Sequence, residues 1–409
     1  MKRLHLLTFA SFLCQSTVAF AGGYQLTEYT AVGLGRSFAG AGVTGDDFSA
    51  IAMNPAGMTL KQSGGQFGAN LVMLKGRAEG TYTDSHGFPV QNSSTNSHAG
   101  KIDVKAGLPH MFAQYAYEDW RFGIGFYVPF GLSAKYTTDD WFGSDISVNS
   151  KITVYDIAPT IAYKIGDTLS IGVSLLMEKC TARMTNSLKY ANGGSSEGGS
   201  SMNADATMNF GYNIGIMVAP SENLRLGVSY RAKTEHNIDG PHDVVAGGAE
   251  RHGIVGTTLQ FPEHVLLSAS YDMNAKWTLG TMAKWTRWSR FDVLKLSSTV
   301  SSASIDEKWK NVWQISVGAD YRHNEKWTFR FGLGYDESGI PDAAHRTARV
   351  PDADRIMLSG GVSYIQPKYQ IDFGYMHMFF KTARSEAQGM DAKYTVQTDV
   401  LSLQAQYFF

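Results

Sequence analysis

Histidine is the residue type in this sequence that is best suited to acid–base catalysis or metal binding, and there are 11 histidines. They are scattered, mainly in polar stretches typical of loops and turns, with His86, His98, His242, His252 and His345 as examples. Neither a serine–histidine–acid set nor a set of metal ligands recurs at the spacing that a hydrolase or a metal site requires. We therefore expect no enzyme, no metal and no cofactor, and a hydrolase or protease is the disfavoured alternative.

A second group of residues could bind an apolar molecule. Alternating apolar and polar segments place five methionines and one leucine on the side opposite the main apolar row: Met217, Leu266, Met282, Met357, Met376 and Met378. Methionine is flexible and polarizable, which suits a pocket that accepts molecules of varying shape. Alternatively, these side chains pack against another segment of the chain, and the sequence leaves both interpretations open.

The elements that hold these positions are β-strands, because apolar and polar side chains alternate with period two. In residues 394–409 one face carries Leu401, Leu403, Ala405, Tyr407 and Phe409, and the other carries Ser402, Gln404 and Gln406. Such a strand suits lipid on one side and water on the other, and Arg330 and Asp336 on a similar polar face argue against a packed soluble core. The pattern predicts an all-β fold, a transmembrane antiparallel β-barrel of the bacterial outer membrane.

The amino terminus predicts export. Lys2 and Arg3 precede an apolar run, and small residues surround a cleavage point before Gly22, so we predict a signal peptide of residues 1–21. No later run approaches the roughly 18 apolar residues of a membrane-spanning helix. Removing Lys2 and Arg3 leaves 34 of the 36 basic residues against 37 acidic ones, a balance that gives no reason to expect nucleic acid. Cys180 remains as a single thiol, so no disulfide is expected within the mature chain.

Turns and loops alternate along residues 65–409, the predicted barrel. Tight connections occur near residues 118–119, 165–167, 220–223, 272–274, 323–325 and 366–368. Longer polar stretches occupy roughly 84–106, 130–146, 186–204, 238–257, 297–308, 337–353 and 385–393. Six short turns and seven longer loops predict about fourteen strands, with both termini on the periplasmic side.

Residues 22–64 do not follow this pattern. They are rich in glycine and alanine, contain Asn54-Pro55-Ala56, and show no alternation of membrane length. They could form a periplasmic tail or a plug inside the barrel. Their apolar residues, such as Leu26, Phe38 and Ile51, favour a buried plug, because a solvated tail would not carry them.

Several motifs in order along the chain resemble the outer-membrane long-chain fatty acid transporters, the FadL-like proteins, over essentially all of residues 22–409. The motifs are Gly22-Gly23-Tyr24-Gln25-Leu26, Gly33-Leu34-Gly35-Arg36, Asn54-Pro55-Ala56, Leu226-Gly227-Val228-Ser229-Tyr230-Arg231, Trp285-Thr286-Arg287-Trp288-Ser289, Trp327-Thr328-Phe329-Arg330, Tyr335-Asp336-Glu337-Ser338 and Pro351-Asp352-Ala353-Asp354-Arg355. The resemblance implies fourteen strands and an amino-terminal hatch. It also implies passive uptake of long-chain fatty acids, or of aromatic hydrocarbons, through a lumenal pocket. Hatch movement then releases the ligand sideways into the bilayer beside a kinked third strand, without metal, nucleotide or energy source.

The resemblance also implies roles for individual residues. Tyr24 matches an aromatic residue near the ligand pocket, and Asn54, Pro55 and Ala56 match a gating turn. The kink of the third strand is expected near Gly123, Gly125 or Pro129-Phe130-Gly131. The family supplies an Arg and a Lys for a carboxylate, and the two matching positions are Asn186 and Ile305 here, with Arg183, Lys308 and Lys310 nearby. Further departures are Gly339 where relatives often have Pro, and Met357 where they often have an aromatic residue.

The expected ligand-binding residues are therefore Tyr24, Met217, Met282, Met357, Met376, Arg183, Lys308 and Lys310. Expected partners are a hydrophobic small molecule such as a fatty acid, outer-membrane lipid and lipopolysaccharide, and the outer-membrane assembly machinery, with the barrel acting as a monomer. A hydrophilic porin is the alternative from another class, and it would need an open polar lumen with no plug.

Overall fold

The computed structural model of the chain describes residues 22–83, 89–92, 99–138, 141–187, 198–246 and 248–409. The predicted signal peptide, His86 and His98 lie outside the described residues. Among those described, no helix is both long and apolar enough to cross a membrane. The helical segments are short: α1 Ala31–Gly35, α2 Ala50–Met53, and the 3-10 turns Pro55–Leu60 and Trp288–Arg290.

Most of the described residues after the first helical segments are in strands. The strands are β1 Gly64–Thr83, β2 Pro89–Asn92, β3 Gly100–Tyr117, β4 Trp120–Lys135, β5 Asn149–Ile165, β6 Leu169–Ser187, β7 Gly199–Ala206, β8 Asn209–Ser221, β9 Leu224–Arg231, β10 Thr234–Ala246, β11 Ala249–Phe261, β12 His264–Asp272, β13 Trp277–Thr286, β14 Val293–Ser298, β15 Ala303–Asp306, β16 Val312–Arg322, β17 Trp327–Asp336, β18 Arg355–Ile365, β19 Tyr369–Phe380, β20 Ala383–Ser385 and β21 Met390–Phe408.

The sheet closes on itself because the first strand pairs with the last. β1 and β21 run antiparallel from Gly64 opposite Phe408 to Tyr82 opposite Met390. The segments β7 and β8, β9 and β10, and β11 and β12 each form one interrupted strand of the wall, and β2, β14, β15 and β20 are short additions at the rim. The described residues therefore build a closed antiparallel barrel of fourteen strands, as the turn count predicted.

The two faces of the wall confirm the alternation. Leu403 and Tyr407 are 61% and 53% exposed on the outside, whereas Ser402, Gln404 and Gln406 are buried inside. All six predicted tight turns connect neighbouring strands at one end of the barrel, called here the turn end, and the longer connections lie at the opposite loop end. Short turns mark the periplasmic side of such barrels, and longer loops mark the outer side.

The prediction of a loop over residues 238–257 was wrong. β10 and β11 extend through that stretch as a long hairpin, paired from Thr234 opposite Phe261 to Ala246 opposite Ala249. Similarly, β3, β4 and β7 continue into stretches predicted as loops. The outward side chains of this hairpin are mostly polar and several inward ones are apolar, so the outward apolar row that signals the other strands is missing.

Residues 22–63, called the hatch from here on, fill the lumen. Nearly all of residues 22–60 are buried, α1 packs against β17, β18, β19 and β21, and the turn Pro55–Leu60 packs against β4, β5, β6 and β8. Glycines on the inner wall allow the hatch backbone to approach closely. A Cβ atom added at Gly215 would lie 2.0 Å from Asn54 Oδ1, and one at Gly332 would lie 2.1 Å from the Arg36 carbonyl carbon.

Candidate functional site

Tyr24 lies at the centre of a buried aromatic cluster near the loop end. Its ring centroid is 4.5 Å from that of Trp288, 5.6 Å from Trp309 and 5.7 Å from Phe291. Phe261 and Phe130 complete the group, called here the Tyr24 cluster, at 5.8 and 6.5 Å. The Tyr24 hydroxyl is buried without a hydrogen-bond partner, and burial raises its pKa. An aromatic site with one unpaired hydroxyl suits a largely apolar ligand.

Backbone hydrogen bonds attach Tyr24 to the barrel wall. The Leu26 amide donates to the Pro129 carbonyl at 2.8 Å, and the Gly131 amide donates to the Tyr24 carbonyl at 2.7 Å. The Gly23 amide donates to Asp352 Oδ2 at 3.0 Å, and a Cβ atom at Gly23 would lie 2.4 Å from the Trp309 ring. The first residues of the hatch thus form a short β-bridge with β4, and only glycine fits beside Trp309.

The same part of β4 leaves its neighbour β3. Regular pairing between them ends at Met111 opposite Phe126, and the register against β5 shifts between Tyr127 and Phe130. Within the described part of both strands, the next link is the isolated bridge from Ile102 to Tyr136. Pro129 has no amide hydrogen for the ladder, which accounts for the break. The barrel wall therefore has a gap beside β4 at the level of the Tyr24 cluster.

The kink was expected at Gly123, at Gly125 or at Pro129-Phe130-Gly131. The register shift lies next to Pro129, whereas Gly123 and Gly125 form regular pairs with β3 and β5. The two glycines face the hatch: Cβ atoms there would lie 2.9 Å from Ile51 side-chain atoms. The absence of side chains at these glycines leaves room for α2 to pack against them, and they do not cause the break in the strand.

The Asn54-Pro55-Ala56 turn contacts β8 of the wall. Asn54 Nδ2 donates to the Ile216 carbonyl at 3.1 Å, and Asn54 Oδ1 accepts from the Ala56 amide at 3.1 Å. Pro55 is the first residue of the following 3-10 turn and packs beside Gly215. Met217 packs against Val43 and Ala56 of the hatch. This turn joins the hatch to β8, and Pro55 restricts both its own backbone and that of Asn54.

The other predicted apolar residues are also buried. Met282, Met357 and Met376 are each at most 1% exposed, and Gln314 Nε2 lies 3.8 Å from the Met357 sulfur. All face inward, as the parity of their strands predicted. They belong to the large buried hydrophobic cluster that also contains Tyr24. Met217 instead belongs to a small separate cluster with two hatch residues, Val43 and Ala56.

A cavity of about 450 Å³ opens at the loop end and contains both positions where the family's cations were expected. Asn186 and Ile305 line it, and Arg349 supplies its guanidinium. The remaining lining residues are Tyr82, Asp145, Ile146, Ser200, Met202, His242, Val244, Leu296, Ser301, Ala303, Ser304 and Gln388. Arg183, Lys308 and Lys310 are exposed and do not line it. Sequence reasoning missed Arg349, because it lies in the 337–354 connection, more than forty residues from either expected position in the chain.

Arg349 and Glu307 form the charged part of this region. Glu307 is 2% exposed and accepts a hydrogen bond from Trp309 Nε1 at 3.0 Å. Burial raises the pKa of Glu307 to about 7, while that hydrogen bond and the charges of Arg349 and His345 lower it. Burial lowers the pKa of Arg349 to about 10, and Glu307 opposes this shift. Glu307 thus connects the cavity to the Tyr24 cluster through Trp309.

Two further charged groups surround the hatch. Arg231 pairs with Asp156 at 2.8 Å and with Glu178, and His236 bonds Glu178 at 2.9 Å, all in the interior of the wall. At the turn end, a polar cavity of about 670 Å³ lies below the hatch and is lined in part by Asp46, Arg225, Asp272, Asp320 and Arg330. Within the described residues, no group of three or more histidine, cysteine or acidic side chains could hold a metal ion.

Comparisons with known proteins agree with this architecture. The family described as outer membrane protein transport protein (OMPP1/FadL/TodX) matches residues 12–409. The long-chain fatty acid transport protein of Escherichia coli K12 is 25% identical, over 88% of this chain and 89% of its own. Outer membrane protein P1 of Haemophilus influenzae is 26% identical, over 90% and 89%.

Solved structures have the same fold. A FadL homologue of Pseudomonas aeruginosa superimposes with a TM-score of 0.86 at 24% identity, covering 94% of this chain and 99% of that one. The toluene transporter TodX of Pseudomonas putida gives a TM-score of 0.72 at 16% identity, over 94% and 99%. The family match covers nearly the whole chain, and the closed barrel agrees with it. This protein therefore belongs to the OMPP1/FadL/TodX family of outer-membrane transport proteins.

Proposed function

We propose that the protein takes up a long-chain fatty acid, or a similar hydrophobic molecule, through the cavity at the loop end and the Tyr24 cluster. The molecule then leaves sideways, through the gap beside β4, into the membrane. The observation that carries the proposal is the position of the first hatch residues: they include Tyr24, the centre of the aromatic cluster, and they are bonded to β4 at its break.

The filled lumen supports this route over a straight one. The hatch occupies the barrel between the loop-end cavity and the polar turn-end cavity, and its backbone touches inner-wall glycines. A hydrophobic molecule gains nothing by entering the charged turn-end cavity, since leaving lipid-like surroundings for water costs free energy in proportion to its apolar area. Lateral release through the wall between β3 and β4 would avoid that step.

The exposed apolar belt makes outer-membrane lipid the permanent neighbour of the barrel. Because the first and last strands pair and close the sheet, we propose that one barrel is the functional unit. Lipopolysaccharide at the loop end and the assembly machinery during insertion are further proposed partners.

A disulfide that locks the hatch to β4 tests the route. Gln25 and Phe130 face each other in the antiparallel bridge, flanked by the two backbone hydrogen bonds described above. Opposed residues of this kind have Cα atoms roughly 4.5 Å apart, within the range that a disulfide spans. The double variant Gln25→Cys/Phe130→Cys, made with Cys180→Ser, should lose uptake of radiolabelled oleate when oxidised and regain it when reduced.

Two controls accompany this experiment. The single variants in the Cys180→Ser background report the loss of each side chain without the bond. Equal uptake by the oxidised and reduced double variant would show that the first hatch residues need not leave β4, and the proposed route would then be wrong.

A further inference from the structure

The loop-end cavity has one basic guanidinium and no second strong base among its lining residues. Its apolar side chains include Met202, Leu296 and Ile305. Asp145 supplies one carboxylate, and its backbone carbonyl accepts a hydrogen bond from Asn186 Nδ2 at 2.7 Å. The cavity thus has the two parts of a site for an amphiphile, an apolar wall and a single cation.

The donors of Arg349 are incompletely used. Its Nη1 lies 3.4 Å from Ser150 Oγ, a long hydrogen bond, and its Nε is buried without a partner. A guanidinium has five N–H donors in a fixed fork that matches a carboxylate, and leaving a buried donor unpaired costs free energy. The flanking backbone is held in place, because the Tyr136 hydroxyl donates to the Ala348 carbonyl at 2.9 Å.

An apolar path leads from the cavity to the Tyr24 cluster. Met202 and Leu296 line both this cavity and a small adjoining apolar pocket, where Ile238, Val255 and Leu259 also lie. Val255, Leu259 and Phe261 are all buried on the inner face of β11, and Phe261 belongs to the Tyr24 cluster. Six strand residues extend roughly 20 Å, which is the scale of a long acyl chain.

We infer that Arg349 binds the carboxylate of the cargo, with the acyl chain directed along β11 towards Tyr24, so that this protein selects a fatty acid anion over an uncharged hydrocarbon. The inference rests on the proposed function and names its substrate class. Arg349 takes the place of the two cations that are absent at Asn186 and Ile305, from a different segment of the chain.

Glu307 is the internal competitor of the cargo. It lies near Arg349, His345 and Tyr24 and is fixed by Trp309. When Glu307 is neutral, the positive charge of Arg349 is available to a bound carboxylate. When Glu307 is ionised, it shares that charge and also repels the cargo. Binding of a fatty acid anion should therefore weaken as the pH rises through 7, and binding of an uncharged analogue should not.

The test compares two probes that differ only in the head group, radiolabelled oleate and oleyl alcohol, in equilibrium binding to the purified full-length mature protein in detergent. Arg349→Gln should weaken oleate binding on the order of tenfold or more, because charge-assisted hydrogen bonds are lost, and should leave the alcohol unchanged. Arg349→Lys should retain part of the affinity for oleate. Arg251→Gln, which removes an exposed guanidinium that does not line the cavity, is the matched control and should change neither probe.

Each other outcome has one meaning. An unchanged oleate affinity in Arg349→Gln would overturn the inference, as would an equal loss for acid and alcohol, which would show that Arg349 only shapes the pocket. If the wild-type protein binds neither probe, the proposed function fails instead. β-sheet circular dichroism of every variant verifies that the barrel has formed.

Discussion

Gln25 of the hatch and Phe130 of β4 are directly opposed in an antiparallel bridge, although 105 positions separate them in the numbering. Phe130 also packs against Tyr24 and Phe261, and the guanidinium of Arg231 lies 5.7 Å from its ring centroid. One residue of a broken strand therefore contacts the first hatch residues, the aromatic cluster and a buried ion pair. Movement of this short segment would affect the pocket and the gap together.

The Asn54-Pro55-Ala56 turn should govern transport without governing assembly. Pro55→Ala removes the ring that restricts Asn54, and Asn54→Ala removes the hydrogen bonds to Ile216 and Ala56. We expect both variants to insert as complete barrels and to lower oleate uptake several-fold, with the larger loss for Asn54→Ala. Uptake at the wild-type rate in both would refute a gating role for this turn. Ser63→Ala, at the end of the hatch, serves as a comparison.

Glu307 should make stability depend on pH. Its pKa of about 7 in the folded protein exceeds the ordinary value for a glutamate of about 4.3. The folded state therefore holds this proton more tightly, so its stabilising contribution is complete below pH 4 and is lost as the pH rises towards 7. The loss is on the order of 4 kcal/mol at most.

Glu307→Gln cannot ionise and should lack this dependence. Urea unfolding of both proteins at pH 5 and pH 8 measures the difference. We expect the wild-type protein to lose more stability than the variant between these two values. Parallel pH profiles would show that Glu307 titrates normally in the folded protein.

Arg231 should be far more important for stability than an arginine in the turn-end cavity. Arg231→Met leaves Asp156 and Glu178 without their buried cation, at a cost of roughly 3–5 kcal/mol. Arg225→Met breaks a partly exposed pair with Asp272, 2.9 Å apart, and should cost about 1 kcal/mol or less. Urea midpoints of the two variants compare the sites directly, and equal shifts would contradict the assignment.

Conductance should distinguish the plugged barrel from an open porin. The hatch fills the lumen, so the purified protein in a planar bilayer should give no steady ohmic current. Deleting residues 24–60 should leave a conducting barrel, since the wall closes between β1 and β21 without them. A large steady current from the intact protein would instead support the porin alternative.

The barrel could be predicted from the sequence because its determinants are local. Alternation with period two, visible from Leu401 to Phe409, follows from the geometry of a single strand between lipid and water, and turn positions follow from nearby residues. The strand count and the two faces were therefore confirmed. The β10–β11 hairpin was missed because its outward side chains are mostly polar, so it lacks the outward apolar row that marks the other strands.

The site could be predicted only in part. Tyr24 and the inward methionines were accessible through resemblance and strand parity. The proposed cation, Arg349, was not, because Asn186, Ile305 and Arg349 come together only when β6, β15 and the connection before β18 meet at the rim. Pro129 signalled a possible break in β4, yet its coincidence with the Gln25 bridge depends on the path of the hatch. The sequence alone determined a barrel and favoured a buried plug over a tail, since period and composition are properties of short segments. The tertiary structure decided which residues form the pocket, since that depends on contacts between segments far apart in the chain.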